Sequence, residues 1–257
     1  MTSDLSHRQS RGPKRLVLSD GTYDAIKSLI LEHVISPGQR MSIDQLARDL
    51  SVSQTPVREA LARLEADGLV TKMPLRGYEA TDLLSVQQFD DLFQFRGVIE
   101  PWAAREASRR GNPREIDALN AELERARQIP RASAALAYPE FIEHDTRFHT
   151  IVARASGNGF VEDAFIRTHC HMHLFRVYKA TLTIQRNESL GAQFVTDLFA
   201  EYYHSADQPL ALTEHVQIAA AISSGAAESA QELMLGHIES SRRRFVPAVE
   251  ALNARTG

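Results

Sequence analysis

Three histidines and one aspartate fall where apolar side chains belong. Over 138–155, Phe141, Phe148 and Val152 recur on one side at helical spacing. Asp145 and His149 share that side, four residues apart. Over 207–224, Leu212, Val216, Ala219 and Ile222 form an inward stripe that contains His215. Over 226–252, Leu233, Met234, Ile238 and Phe245 form another, and His237 is among them. A carboxylate carried inside without a partner is costly. A divalent cation would satisfy all four groups at once, and Asp and His one turn apart offer adjacent ligands. Zinc is the expected ion, with nickel or manganese as alternatives. Two plainer arrangements stay open: histidines hydrogen-bonded within a core, and Asp145 paired with Arg96 or a histidine.

A second run, His169-Cys170-His171-Met172-His173, also has ligand-type residues. His169 and His173 are a turn apart, but His171 points elsewhere, so the run reads as packing or pocket lining. His144 is expected to reach solvent, being offset from the Asp145/His149 side.

The elements that would carry these residues are helices. Amphipathic stretches run over 85–110, 113–129, 138–155, 158–184, 188–204, 207–224 and 226–252, broken at Gly111-Asn112-Pro113, Gly157-Asn158-Gly159 and Ser223-Ser224-Gly225. The last two are close enough in sequence to pair antiparallel. Residues 83–252 thus read as an all-helical domain.

Ahead of it the pattern changes. Tyr23, Ile26, Leu29, Ile30 and Val34 make one helical stripe, ended by Ser36-Pro37-Gly38. Ser42 with Gln45 has capping-box spacing and opens a short helix with Leu46, Ala47 and Leu50 on its buried side. After a turn at Ser51-Val52, a third helix starts with Ser53 as N-cap and Pro56 in the first turn. Val57, Leu61 and Leu64 are its buried stripe, and Gly68 ends it. Two strands, 69–73 and 77–81, can pair around Pro74-Leu75-Arg76. This is the plan of a helix-turn-helix with a wing. Gln54, Thr55 and Arg58 would meet the DNA major groove from the third helix. Ser53, Arg63, Lys72 and Arg76 are further candidates for DNA contact.

The run Thr55-Pro56-Val57-Arg58-Glu59-Ala60-Leu61, with Arg63-Leu64-Glu65 and Asp67-Gly68-Leu69-Val70, resembles the winged helix-turn-helix of GntR-type bacterial transcription regulators, over about residues 16–82. Asp145-Thr146-Arg147-Phe148-His149, Glu214-His215-Val216-Gln217-Ile218 and Met234-Leu235-Gly236-His237-Ile238 resemble the all-helical ligand domain of the fatty-acid-regulator branch. That resemblance spans about 85–250. It implies a metal held by Asp145, His149, His215 and His237. Phe95-Arg96-Gly97-Val98-Ile99-Glu100 resembles the first-helix motif of that domain, which implies a pocket-lining role for Arg96. Gln54 stands where the branch often carries Arg, so its usual operator sequence is not carried over.

Composition sets outer limits. Residues 1–82 hold eleven Lys/Arg and eleven Asp/Glu, so attraction to DNA must come from local placement. The Ser/Arg-rich stretch 1–15 reads as a disordered basic tail. No apolar run approaches the roughly 18 residues of a membrane span, and the N-terminus lacks the apolar core of a secretory signal. Cys170 is the one cysteine, so no intrachain disulfide can form. A cytoplasmic protein is expected.

The expected fold is mainly α: a winged helix-turn-helix at 16–82, then an all-α antiparallel helical-bundle ligand-binding domain at 83–252. The expected function is a homodimeric, ligand-responsive transcription repressor on double-stranded operator DNA, not an enzyme, sensing a small carboxylate at the metal. The alternatives are a metal-responsive regulator and a metal-dependent hydrolytic enzyme.

Overall fold

Helix α1 (Pro13–Leu31) carries Ile26 and Ile30 to full burial against α3 (Gln54–Ala66), whose Val57, Leu61 and Leu64 are equally buried. The computed structural model describes residues 13–74, 76–130, 134–185 and 210–254. The chain divides into two compact units, Met1–Asp82 and Leu83–Gly257.

In the first unit, β1 (Arg40–Met41) precedes α2 (Ile43–Asp49), and α3 is followed by β2 (Val70–Met73) and β3 (Gly77–Ala80). Ser42 caps α2 through the Gln45 amide at 3.4 Å. The Gln45 side chain bonds Asp49 and Arg48 instead of closing a capping box. Helix α3 ends as its sequence demands: Gly68 takes φ 71°, and Leu69 N–H bonds back to the Leu64 carbonyl at 2.9 Å. The antiparallel sheet has the order β1-β3-β2, with Met73 opposite Gly77 and Arg40 opposite Glu79. Two residues are too few for β1 to show as a periodic pattern. Val34 does not continue the α1 stripe. The helix has ended by then, Val34 is 66% exposed, and Ile35 turns inward in its place.

The second unit is helical: α4 (Val86–Arg110), α5 (Pro113–Arg127), α6 (Ala134–Ala155), α7 (Gly159–Arg167), α8 (Cys170–Gln185), α9 (Leu210–Ser223) and α10 (Ala227–Asn253). A full capping box of Ser85 and Gln88 starts α4, and Asn112 with Pro113 starts α5. Helix α4 lies along α10, and α6 packs on α4, α5, α7 and α8. Crowding from several sides makes the buried arc of α6 wide: Phe141, His144, Asp145, Phe148, His149 and Val152 are all inside. The arginine-rich residues 1–12 and the helix expected over 188–204 lie outside the described residues, and α1 already begins at Pro13.

The single helix expected over 158–184 is two. His169 adopts φ 43°, which a helix cannot contain, so α7 closes and the His173 N–H reopens the ladder onto the His169 carbonyl at 3.1 Å. A β-branched residue tolerates that backbone worse than histidine, and glycine tolerates it freely. His169→Val is expected to destabilise the chain by about 1–2 kcal/mol, while His169→Gly keeps or raises stability. Thermal unfolding of both variants checks this.

Candidate functional site

The expected histidines meet. His149 on α6, His215 on α9 and His237 on α10 are 1%, 0% and 4% exposed. Their Nε2 atoms face one another, 3.2 Å from His149 to His237 and 3.3 Å from His215 to His237. Each Nδ1 is occupied. His149 Nδ1 meets the Glu100 carboxylate, and His237 Nδ1 lies 2.7 Å from Glu214 Oε2. His215 Nδ1 lies 2.9 Å from His144 Nε2, and His144 Nδ1 lies 3.0 Å from Glu122 Oε1. A carboxylate can only accept, so His149 and His237 carry their protons on Nδ1 and expose bare Nε2 lone pairs. Lone pairs brought this close repel unless a proton or a metal ion lies between them. Zinc bonded to imidazole at about 2.0–2.1 Å in a tetrahedron holds its nitrogens about 3.3 Å apart, which the observed spacings match.

Asp145 is buried beside this trio but is not part of it. Its Oδ1 is 3.9 Å from His215 Nδ1, and it groups with His144 and His215. Arg96 is 1% exposed and belongs to Glu100, its Nε 2.5 Å from Oε1 and its Nη2 3.3 Å from Oε2. Arg96 is thus hydrogen-bonded to Glu100, and its charge also acts on Asp145. Burial pushes the Glu100 carboxyl up, but Arg96 and His149 outweigh it and hold it at about 2. Burial drives His149 down to about 4 against the pull of Glu100. Burial, then His237, His144 and His149, drive His215 well below the usual histidine range. The Phe148 ring stacks on His215 at 4.0 Å and 14°, fixing its plane.

One expectation needs correction. His144 does not reach solvent. It is fully buried, because α5 covers that side of α6 and presents Glu122 to it. His171, off the side shared by His169 and His173, is turned inward by the start of α8, 4% exposed, with its ring 5.0 Å from that of His149. The glutamates Glu100, Glu122 and Glu214 were not anticipated. The signal available for Glu100 was its place one turn after Arg96 and inside an apolar run.

In the first unit, Ser53, Gln54, Thr55 and Arg58 are exposed together at the start of α3. Ser53 stands at the N-cap, but its hydroxyl makes no capping bond. Gln54 donates to Asp44 Oδ1 at 2.5 Å and accepts from Arg58 Nη2 at 3.3 Å. Lys72 and Arg76 are exposed on the β2–β3 hairpin. Arg63 is apart from these: its guanidinium lies over the Tyr23 ring at 4.2 Å and pairs with Asp20 at 2.7 Å, tying α3 to α1.

Two family models match this chain: "Bacterial regulatory proteins, gntR family" over residues 18–79 and "FCD domain" over residues 91–240. The chain belongs to the FCD-domain regulators of the gntR family. It is 25% identical over 159 residues to the uncharacterised regulator YdhC of Bacillus subtilis, covering 62% of this chain and 70% of that one. It is 34% identical over 122 residues to the Nta operon transcriptional regulator of Aminobacter aminovorans, covering 48% of this chain and 56% of that one. The solved structure of E. coli McbR/YncC aligns with TM-score 0.60 at 17% identity, over 89% of this chain and 96% of that chain, and so shares its fold. These relatives are transcriptional regulators, not enzymes. The exposed start of α3 lies within the part of the chain that the gntR-family model matches. Among the described residues no helix is long and apolar enough to cross a membrane.

Buried His149 carries a pH signature. His149 falls from about 6.5 when unfolded to about 4 in the fold, so the unfolded chain binds the extra proton. Its contribution to stability is complete above about 6.5 and is lost as pH falls through about 4. Metal-free protein is expected to show a falling urea midpoint between pH 7 and pH 4. A flat midpoint would contradict neutral burial.

Proposed function

We propose that this regulator is a homodimeric repressor whose FCD domain holds a divalent metal through His149, His215, His237 and Asp145 and senses a small carboxylate there. The observation that carries the reading is the convergence of three Nε2 atoms whose Nδ1 sides are already engaged. Bound metal would supply a Lewis-acid anchor with room for a carboxylate oxygen. Zinc suits the nitrogen-rich set and its spacing best, and nickel or manganese are the alternatives. Asp145 reaches the ion if its side chain turns from its position beside His215 Nδ1. Arg96 contributes by keeping Glu100 ionised rather than by contact with the effector.

In a homodimer the two winged heads take the two halves of a palindromic operator. Ser53, Gln54, Thr55 and Arg58 face bases and phosphates, with Lys72 and Arg76 on the backbone. Arg63 is committed to α1 and contributes least. The effector can change operator affinity only by as much as it distinguishes the DNA-bound and free arrangements. The soluble, cytoplasmic setting of such a regulator suits the lone buried Cys170. A second reading, in which the ion itself is the signal, draws on the near-complete burial of all three histidines.

Purified protein is expected to contain about one divalent ion per chain by elemental analysis. A metal at a hundredfold excess over its dissociation constant adds about 2.7 kcal/mol of stability. Chelation should therefore lower the melting temperature, and zinc should restore it. Absence of metal, with no thermal response to zinc, nickel or manganese, removes the reading. Operator binding measured with metal fixed and carboxylates varied separates metabolite sensing from metal sensing.

Arg58→Ala is expected to weaken operator binding by about 1–3 kcal/mol without unfolding the head, since Arg58 is exposed. Unchanged affinity in the folded variant takes Arg58 out of the interface.

A further inference from the structure

The three inward histidines are not held alike. His149 and His237 each have a carboxylate on Nδ1, Glu100 and Glu214. His215 has none: its nearest carboxylate oxygen there, Asp145 Oδ1, is 3.9 Å away, beyond hydrogen-bond reach. An imidazole takes that place, His144 Nε2 at 2.9 Å. An imidazole can donate or accept, so this bond alone does not decide which nitrogen of His215 is bare. The decision comes from one residue further out. Glu122 Oε1 lies 3.0 Å from His144 Nδ1, and its other oxygen takes Arg147 Nε at 2.9 Å and Arg125 Nη1 at 2.8 Å. Two guanidinium groups keep Glu122 an anion that only accepts.

For a neutral His144 ring the polarity of the chain then has one self-consistent direction. His144 donates from Nδ1 to Glu122, which leaves its Nε2 bare. His215 must donate from Nδ1 into that lone pair, which leaves its own Nε2 bare toward His237. In the reverse direction the His144 Nδ1 lone pair would face a carboxylate at 3.0 Å with no proton between them. We propose that Glu122 and His144 form a positioning relay that fixes the tautomer of His215 and so presents its Nε2 to the other two histidines. Its value to the regulator rests on the cation reading above, but its hydrogen-bond chemistry does not. Phe148, one turn beyond His144 on α6, stacks on His215 and fixes the ring plane along which the relay acts. Partners outside the ligand shell of this kind characteristically change metal affinity by about 10–100-fold.

The test uses the full chain with nitrogen-15-labelled histidine, stripped of metal, at neutral pH. Ring nitrogen–proton correlation spectra report the tautomer of each histidine. In the unmutated protein His215 is expected with its proton on Nδ1, and a proton on Nε2 would overturn the proposal without any variant. His144→Leu removes the acceptor at similar volume, so His215 should lose its single-tautomer signature. His144→Gln, whose side-chain carbonyl can accept from His215 Nδ1, should restore it. Zinc competition against a chromophoric chelator gives the second readout: about 10–100-fold weaker binding for His144→Leu, largely recovered by His144→Gln. Equal zinc affinity and an unchanged tautomer in folded His144→Leu would overturn the relay and leave the metal site standing. An unmutated protein that binds no zinc yet shows the Nδ1 tautomer would remove the cation reading and support the relay.

Discussion

A carboxylate bonded to Nδ1 dictates what the far side of an imidazole can do, and the second unit is organised around that constraint. Glu100 and Glu214 each commit one histidine, and Glu122 commits another through His144. Glu100 and Glu122 are buried and Glu214 partly so, which without partners would carry a large desolvation cost. Each is matched by a ring or a guanidinium drawn from a different helix. Glu100 ties α4 to α6, Glu122 ties α5 to α6, and Glu214 ties α9 to α10. The polar network therefore sets the relative placement of five helices, while the apolar contacts between α4 and α10 supply bulk stability. The same network leaves three ring nitrogens pointing inward toward one another.

Burial makes this arrangement decisive. In water, three imidazoles a few ångströms apart would simply hydrate or take up protons. Inside, protonation is disfavoured: His215 and His171 lie well below the usual histidine range, burial being the chief cause. A metal ion would provide positive charge without that penalty falling on any single ring. Stacking of Phe148 under His215 adds the geometric control that hydrogen bonds alone do not provide.

How far all this could be read from the chain depended on periodicity. His149, His215 and His237 were legible because each sits within an apolar stripe, where a polar residue stands out. The start of α3 was legible because its cap, proline, stripe and terminal glycine agree. The supporting acids were not. A glutamate one turn from an arginine, as Glu100 is from Arg96, looks like a surface ion pair until the packing of α4 is known. His144 was misread because a residue offset from the main stripe is normally exposed, and only the crowding around α6 widens its buried arc. The break between α7 and α8 has no glycine or proline to mark it, since His169 supplies the left-handed backbone. Arg63 looked like its neighbours on α3, and only tertiary packing sets it over Tyr23.

The central claim is that the three Nε2 atoms converge because they coordinate one ion. X-ray absorption at the zinc edge of the zinc-loaded full chain reads that directly. The account predicts a four-coordinate shell with three imidazole nitrogens at about 2.0–2.1 Å, visible in the outer-shell scattering of their rings, and one oxygen. A shell of oxygens alone, or one containing fewer than three imidazoles, would contradict it.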